Sequence, residues 1–116
     1  MRIDCDSIGD VELPKDALFS TSAFRAQENF AGLGPPVGAF PAFVRALARV
    51  KRAAARANLL AGALDTEIAN TIDQACAELI CGDHHRHMIV PLLEGSGGTS
   101  TNMNINEVIA NRAGQI

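Results

Sequence analysis

Gly95–Ala113 reads GSGGTSTNMNINEVIANRA, a glycine-rich turn that leads into a helix-forming segment. The turn ends in three consecutive hydroxyl residues, Thr99, Ser100 and Thr101. We expect a helix that begins near Ser100 or Thr101 and continues through Ala113. Backbone N–H groups at a helix start lack partners inside the helix, and the helix dipole adds partial positive charge there.

These N–H donors and hydroxyls predict a site for a carboxylate or phosphate, and its residues are Gly97, Gly98, Thr99, Ser100 and Thr101. Glycine-rich turns with Ser and Thr also cap helices without binding a ligand, so the local sequence leaves both interpretations open. The turn is not a Walker loop, because no lysine precedes the hydroxyl pair. It is not a dinucleotide fingerprint either, because GxGxxG is missing.

Two longer helices precede this turn. The first is predicted from Ala42 to about Gly62, and the second begins at Asp65, a good N-cap residue, and stops at Gly82. The short link between them favours an antiparallel pair. The apolar positions of the first helix that recur every three or four residues are Phe43, Leu47, Val50 and Ala54. The corresponding positions of the second are Ile68, Ile72, Ala75, Cys76, Leu79 and Ile80.

The N-terminal third contains less regular structure. Arg2–Pro14 reads as two short strands around a turn, which must pack on the rest of the protein because a hairpin this small is not stable alone. A polar loop at Ser20–Ser22 leads to a helical turn at Ala23–Asn29, and the glycines and prolines of Ala31–Pro41 predict an irregular connector. The sequence therefore predicts one domain that is mainly α, with a small N-terminal β-hairpin followed by a helical domain.

Composition excludes several classes of protein. The chain has 116 residues and a net charge of −3, so no overall basic field indicates a nucleic-acid partner. Its three cysteines, an odd number without a CxxC pair, are typical of reduced thiols in a cytoplasmic protein. No signal peptide is visible, and no apolar run approaches the roughly 18 residues of a membrane span.

Two further segments contain residue types that can form sites, but their patterns are typical of surface features. The run CGDHHRH at Cys81–His87 does not offer four converging ligands, and we expect a loop with solvated histidines and no metal. The basic helix that contains RALARVKRAAAR, at Arg45–Arg56, is expected to present a solvated face with no nucleic acid bound. No cofactor is expected. Glu107 and Arg112 are predicted to form an interior charge pair that ties the last helix to a neighbour.

Several motifs, in the same order, resemble the fumarase/aspartase superfamily. Thr99–Ala113, as part of GTSTNMNINEVIANRA, resembles the turn and helix of that family. Arg25–Phe30 (RAQENF) resembles its Arg-containing ENF segment, Ala46–Asn58 (ALARVKRAAARAN) its Ala- and Lys-rich first helix, and Gly9–Pro14 (GDVELP) its entry hairpin. The resemblance covers nearly the whole chain.

The resemblance implies a lyase that removes a proton beside one carboxylate of a four-carbon diacid and then expels ammonia, an amine or water. The letters TST, and Gly97 before Gly98, are closer to the aspartate ammonia-lyases than to the fumarases. We therefore expect elimination of ammonia from an amino diacid to give fumarate. The alternatives are a fumarase-type hydratase and a non-enzymatic structural protein that keeps the fold. The positions that depart from the family pattern are Ser20, Ala23, Glu94 and Ile105.

The resemblance also implies how much of such an enzyme these residues supply. Residues 1–116 correspond to the N-terminal domain, and the central helical-bundle and C-terminal domains are absent. By this resemblance Thr99, with the backbone around Gly97 and Gly98, would bind a substrate carboxylate, and Ser100 and Thr101 would either contribute or cap the helix. Arg25 would either orient a carboxylate or form a structural salt bridge. No catalytic residue is expected in this chain, and the full-length enzyme is expected to be a cytoplasmic homotetramer acting on a small dicarboxylate. Without its usual neighbours, the last helix is expected to fray or self-associate through exposed Met103, Val108 and Ile109.

Overall fold

A short antiparallel hairpin opens the chain. The computed structural model describes residues 1–116, and strand β1 (Arg2–Cys5) pairs with strand β2 (Asp10–Leu13), so that Arg2 faces Leu13. A carboxylate oxygen of Asp6 accepts hydrogen bonds from the amides of Ile8 (2.9 Å) and Gly9 (3.1 Å), which fixes the turn. The predicted hairpin is confirmed.

Four α-helices follow and make the fold mainly α, as the sequence predicts. They are α1 (Thr21–Asn29), α2 (Pro41–Leu60), α3 (Thr66–Cys81) and α4 (Thr99–Gln115). Helix α1 is longer than the predicted turn, and α4 begins one residue earlier than expected. Two single-turn 3₁₀ helices lie between them, at Val37–Ala39 and His85–His87. The first of these is a correction, because the connector was expected to contain no regular structure.

Helices α2 and α3 form the predicted antiparallel pair. Arg45 donates to the carbonyl of Ile80 (3.0 Å), whereas Arg52, two turns later in α2, forms an ion pair with Asp73 earlier in α3 (2.9 Å). At the start of α3 the carboxylate of Asp65 accepts from the Glu67 amide (3.2 Å). Its end is a glycine, Gly82, at φ 108°, the left-handed conformation that commonly terminates helices.

The buried face of α2 differs from the predicted one. Val44, Ala48 and Ala55 are buried, whereas Phe43 and Val50, which the spacing placed in the core, are 40% and 64% exposed. Apolar side chains, many of them alanine, occur around most of α2, so periodicity alone does not identify the face that packs against α3. In α3 the predicted stripe is largely correct, except that Ile68 is 52% exposed.

Helix α4 contributes directly to the core. Val108 and Ile109 are buried, not exposed as expected, and Ile105 is buried beside them. Met103 alone of the three expected residues lies at the surface. The apolar side of α4 packs on α3 within this chain. The main core consists of Leu18, Val37, Val44, Ala48, Ala75, Cys76, Leu79, Met88, Ile105, Val108 and Ile109.

Charged side chains of α4 connect it to two different helices. The carboxylate of Glu107 accepts from the amides of Ser22 (2.9 Å) and Ala23 (3.0 Å) at the start of α1, where no side chain of α1 itself provides a cap. Arg112 donates to both carboxylate oxygens of Glu78 in α3, at 2.6 and 3.1 Å. Both residues therefore tie α4 to neighbouring helices, as the sequence predicts, although each binds a different helix and they do not pair with each other.

The connector before α2 lies directly against the segment after α3. The amide of Val37 donates to the carbonyl of Val90 (2.9 Å), and the amide of Gly38 donates to that of Met88 (2.8 Å). A side-chain carbon on Gly38 would overlap the carbonyl oxygen of His85 and would lie 3.0 Å from the carbonyl oxygen of Met88. Glycine is thus required here because two backbone segments touch.

Leu18, three residues before α1 begins, is held from both sides by distant parts of the chain. Its amide donates to Nδ1 of His87 (3.2 Å), and its carbonyl accepts from the side-chain amide of Asn111 (2.6 Å). His87 is 4% exposed, so the expectation of solvated histidines is wrong for this residue. Asn104, fully buried, links the same region, because its side chain accepts from the amide of Val90 (3.2 Å) and donates to the carbonyl of His87 (2.9 Å).

We expect His87 to make the fold sensitive to mild acid. Burial lowers the pKa of His87 from 6.5 to about 4, with smaller contributions from the positive charge of neighbouring Arg86 and from His84. The unfolded chain then binds a proton below pH 6.5, whereas the folded chain does so only near pH 4. The contribution of neutral His87 to the free energy of unfolding is therefore complete above pH 6.5. It is lost as the pH falls, and the free energy of unfolding is lower by about 2 kcal/mol at pH 5.

Urea unfolding between pH 5 and pH 7.5 measures this effect. His87→Asn keeps an acceptor for the Leu18 amide but does not titrate, and it should flatten the pH dependence. A His87→Asn protein with the wild-type slope would contradict the assignment.

Candidate functional site

Two consecutive glycines turn the chain into α4. Gly97 and Gly98 both have positive φ, 70° and 92°, which is the left-handed region that favours glycine. No atom lies within 4 Å of a Cβ built on either residue, so backbone conformation and not crowding requires glycine at these positions. Gly98 is the N-cap residue of α4, and its carbonyl accepts the first helical bond, from the Asn102 amide (3.0 Å).

The exposed surface of the turn combines a free amide with a hydroxyl. Thr99 is the first residue of α4 and is exposed, and its amide donates to no acceptor within the chain. Gly97 and Gly98 are exposed next to it. The structure therefore brings Gly97, Gly98 and Thr99 together at the surface, where a helix start can bind an anion.

The other two predicted residues lie in different surroundings. Ser100 is half-buried. Its hydroxyl forms a hydrogen bond with the hydroxyl of Ser96 (2.9 Å), and the Ser96 hydroxyl also accepts a hydrogen bond from the Ser100 amide (2.9 Å). Thr101 is buried, with 7% exposure. Ser100 is thus engaged within the loop, and the Thr101 side chain faces the interior. Their role in substrate binding stays a prediction, as does that of Gly97, Gly98 and Thr99.

Glu94 is a residue of this turn whose role the sequence analysis missed. One carboxylate oxygen accepts from the Gly98 amide (2.6 Å), and the other accepts from the Ser96 amide (3.1 Å) and from the Ser96 hydroxyl. The Ser96 hydroxyl, followed by the two amides, lowers the pKa of Glu94, although partial burial opposes the shift. The signal that could have indicated this role is the position of Glu94, a carboxylate four residues before Gly98, the N-cap residue of α4.

Arg25 forms a structural ion pair. Its guanidinium donates to both carboxylate oxygens of Asp6, at 2.8 and 3.0 Å, and so ties α1 to the hairpin turn. These bonds hold the pKa of Asp6 far below its usual value. Of the two roles that the sequence left open for Arg25, the structure shows the salt bridge.

The histidine-rich run is tied into the fold by hydrogen bonds. Nε2 of His84 lies 2.6 Å from a carboxylate oxygen of Glu78, and Nε2 of His85 lies 2.8 Å from the carbonyl oxygen of Leu79. No three side chains of the His, Cys, Asp or Glu type converge in a way that could hold a metal ion.

No helix is both long enough and apolar enough to cross a membrane.

The basic residues of α2 are largely engaged by neighbouring helices. Arg52 and Arg56 both donate to Asp73 of α3, at 2.9 and 2.7 Å, and these bonds lower the pKa of Asp73 to about 2. Lys51 donates to the side chain of Asn102 in α4 (2.6 Å). The face was expected to be solvated, but much of its charge instead joins the helices together.

The surface grooves of the molecule lie away from the glycine turn. One groove of about 320 Å³ runs between α2, α3 and α4, and its apolar walls include Ala55, Ile72 and Ile109. The other three are lined by residues of α2, α3 and the C-terminal part of α4. Residues 97–101 line none of them, so the turn is an open surface and not the floor of a pocket.

Comparison with known sequences finds relatives along almost the whole chain. A family model described as lyase matches residues 9–116. An aspartate ammonia-lyase of Pseudomonas aeruginosa is 47% identical over 112 residues, which are 97% of this chain and 24% of the relative. A class II fumarate hydratase of the same organism is 42% identical over an alignment of 117 positions, which covers 99% of this chain and 24% of the relative.

Solved structures give the same result for the fold. A protein described as fumarate lyase:delta crystallin, from Brucella melitensis, superimposes with a TM-score of 0.95 at 43% identity, covering 99% of this chain and 26% of that one. A class II fumarase from Schistosoma mansoni superimposes with a TM-score of 0.85 at 29% identity, covering 97% and 23%. The chain spans about a quarter of the length of the relatives it matches.

Proposed function

The chain belongs to the lyase family that contains the aspartate ammonia-lyases and the class II fumarases, and we propose that it is the N-terminal domain of an enzyme that eliminates ammonia from a four-carbon amino diacid. Its role in that enzyme is to bind a substrate carboxylate at the glycine turn. The observation that carries this proposal is the exposed Thr99 at the start of α4, with an amide that has no partner.

The chemistry explains why such a turn is useful. When a proton leaves the carbon beside a carboxylate, the electron pair moves onto that carboxylate, which becomes doubly negative. Fixed donors aimed at the growing charge lower the barrier, and one such donor typically contributes about 2.7–4 kcal/mol. The Thr99 amide and hydroxyl are suited to this task because α4 fixes their position. The base that takes the proton is proposed to lie outside residues 1–116.

A fumarase-type hydratase is the second candidate. The identity to the class II fumarate hydratase of Pseudomonas aeruginosa, 42%, is close to the 47% for the aspartate ammonia-lyase of that organism. The letters TST after Gly98 support the ammonia-lyase. The full-length enzyme is proposed to be a cytoplasmic homotetramer, and the three free cysteines, Cys5, Cys76 and Cys81, agree with a reducing compartment.

Assays on purified protein test the proposal. The full-length enzyme should release ammonia from aspartate and form fumarate, whereas the 116-residue chain alone should show no turnover. Hydration of fumarate to malate without ammonia release would establish the second candidate. Turnover of aspartate by the 116-residue chain would refute the proposed division of the active site.

A further inference from the structure

The carboxylate of Glu94 already occupies donors of the turn that leads to Thr99. It bridges the turn, with one oxygen on the Gly98 amide (2.6 Å) and the other on the Ser96 amide (3.1 Å) and hydroxyl. Two backbone N–H groups and a hydroxyl thus hold an anion that belongs to the chain itself. This contact is inside the region where the proposed function places a substrate carboxylate.

Capping of the first turn of α4 does not require the negative charge of Glu94. The Ser96 hydroxyl accepts from the Ser100 amide (2.9 Å), so serine provides the side-chain cap of the first turn. A neutral glutamine at position 94 has the same length and an oxygen that accepts the bond from Gly98. What glutamate adds to the turn is a full negative charge, next to the exposed amide of Thr99.

We propose that Glu94 is an affinity-determining residue, a built-in competitor that keeps a ligand carboxylate from the Gly98 and Ser96 donors. The inference rests on the proposed function, because it concerns the same turn. A carboxylate bound to Thr99 would lie one residue from the Gly98 amide, and like charges so close disfavour each other. The ligand then either binds through Thr99 and Gly97 alone or displaces the Glu94 side chain.

Succinate, a four-carbon dicarboxylate that cannot undergo the elimination, is the probe. Its dissociation constant is measured by calorimetry on the full-length enzyme and its Glu94→Gln variant. Removal of the like charge of Glu94 should tighten succinate binding about 10-fold or more, since two neighbouring carboxylates strongly disfavour each other's charged form. Glu94→Ala, which removes the acceptor as well, should change the constant in the same direction.

Glu12→Gln is the matched control, because it removes the same charge from an exposed position in β2 and should leave the constant unchanged. Circular dichroism checks that each variant keeps the wild-type helix content. Equal or weaker binding by both Glu94 variants, including no binding by any of the proteins, overturns the inference. Because calorimetry needs no turnover, this outcome is separate from a failure of the lyase assay, which would overturn the proposed function.

Discussion

Replacement of Thr99 by valine in the full-length enzyme is expected to lower kcat/KM about 100-fold or more. The variant keeps the branched shape of threonine and loses the hydroxyl beside the exposed start of α4. If that hydroxyl binds the carboxylate most strongly when it carries the developing charge, the loss falls mainly on kcat and less on KM. Steady-state kinetics of fumarate formation from aspartate measures both constants.

Thr66→Val is the matched control for this experiment. Thr66 is the first residue of α3, as Thr99 is of α4, and both are exposed. The two variants therefore share any general effect of valine at a helix start. If kcat/KM falls by a similar factor in both variants, or if kcat/KM of the Thr99→Val variant lies within threefold of wild type, Thr99 is not part of the proposed site.

Gly38→Ala is expected to destabilise the fold by about 3 kcal/mol or more, the upper end of the range for overpacked interiors. The new methyl group would overlap the carbonyl oxygen of His85 and press against that of Met88. Both atoms belong to the backbone, so no side-chain rotation relieves the contact. The two segments must separate instead, which weakens the bonds from Val37 to Val90 and from Gly38 to Met88.

Urea unfolding of the 116-residue chain, followed by circular dichroism, measures this loss. Gly114→Ala is the control, because Gly114 lies in α4 with open space around it and without positive φ. Alanine there should stabilise the helix by about 0.5–1 kcal/mol. A Gly38→Ala protein less than 1 kcal/mol below wild type would show that the connector can move away from His85 at little cost.

The parts of the fold that depend on neighbouring residues could be predicted from the sequence. Asp65 and Gly82 fix both ends of α3, because capping is decided within one turn of helix. The hairpin and the glycine turn before α4 are local in the same sense, since positive φ at Gly97 and Gly98 reflects their own conformational freedom. The resemblance to the lyase family, also read from local motifs, is confirmed by the relatives.

The parts of the fold that depend on residues far apart in the chain could not be predicted from the sequence. In α2, alanines on several sides left the buried face undecided, and only the position of α3 selects Val44 over Phe43. The partner of Glu107 is the start of α1, 85 residues earlier, which no spacing rule indicates. Glu94 was seen only as an unusual letter, because its bond to Gly98 follows from the path of the backbone between them.

The two hydrogen bonds that hold Leu18 have a consequence for the order in which the chain becomes fixed during synthesis. Its two partners follow it by 69 and 93 residues, so neither exists when the N-terminal segment leaves the ribosome. At about 5–20 residues per second, the second partner arrives roughly 5 to 20 s later. During synthesis Leu18 therefore lacks both contacts until His87 has been made, and it lacks the second until Asn111 in α4 has been made, so this segment becomes fixed long after it is translated.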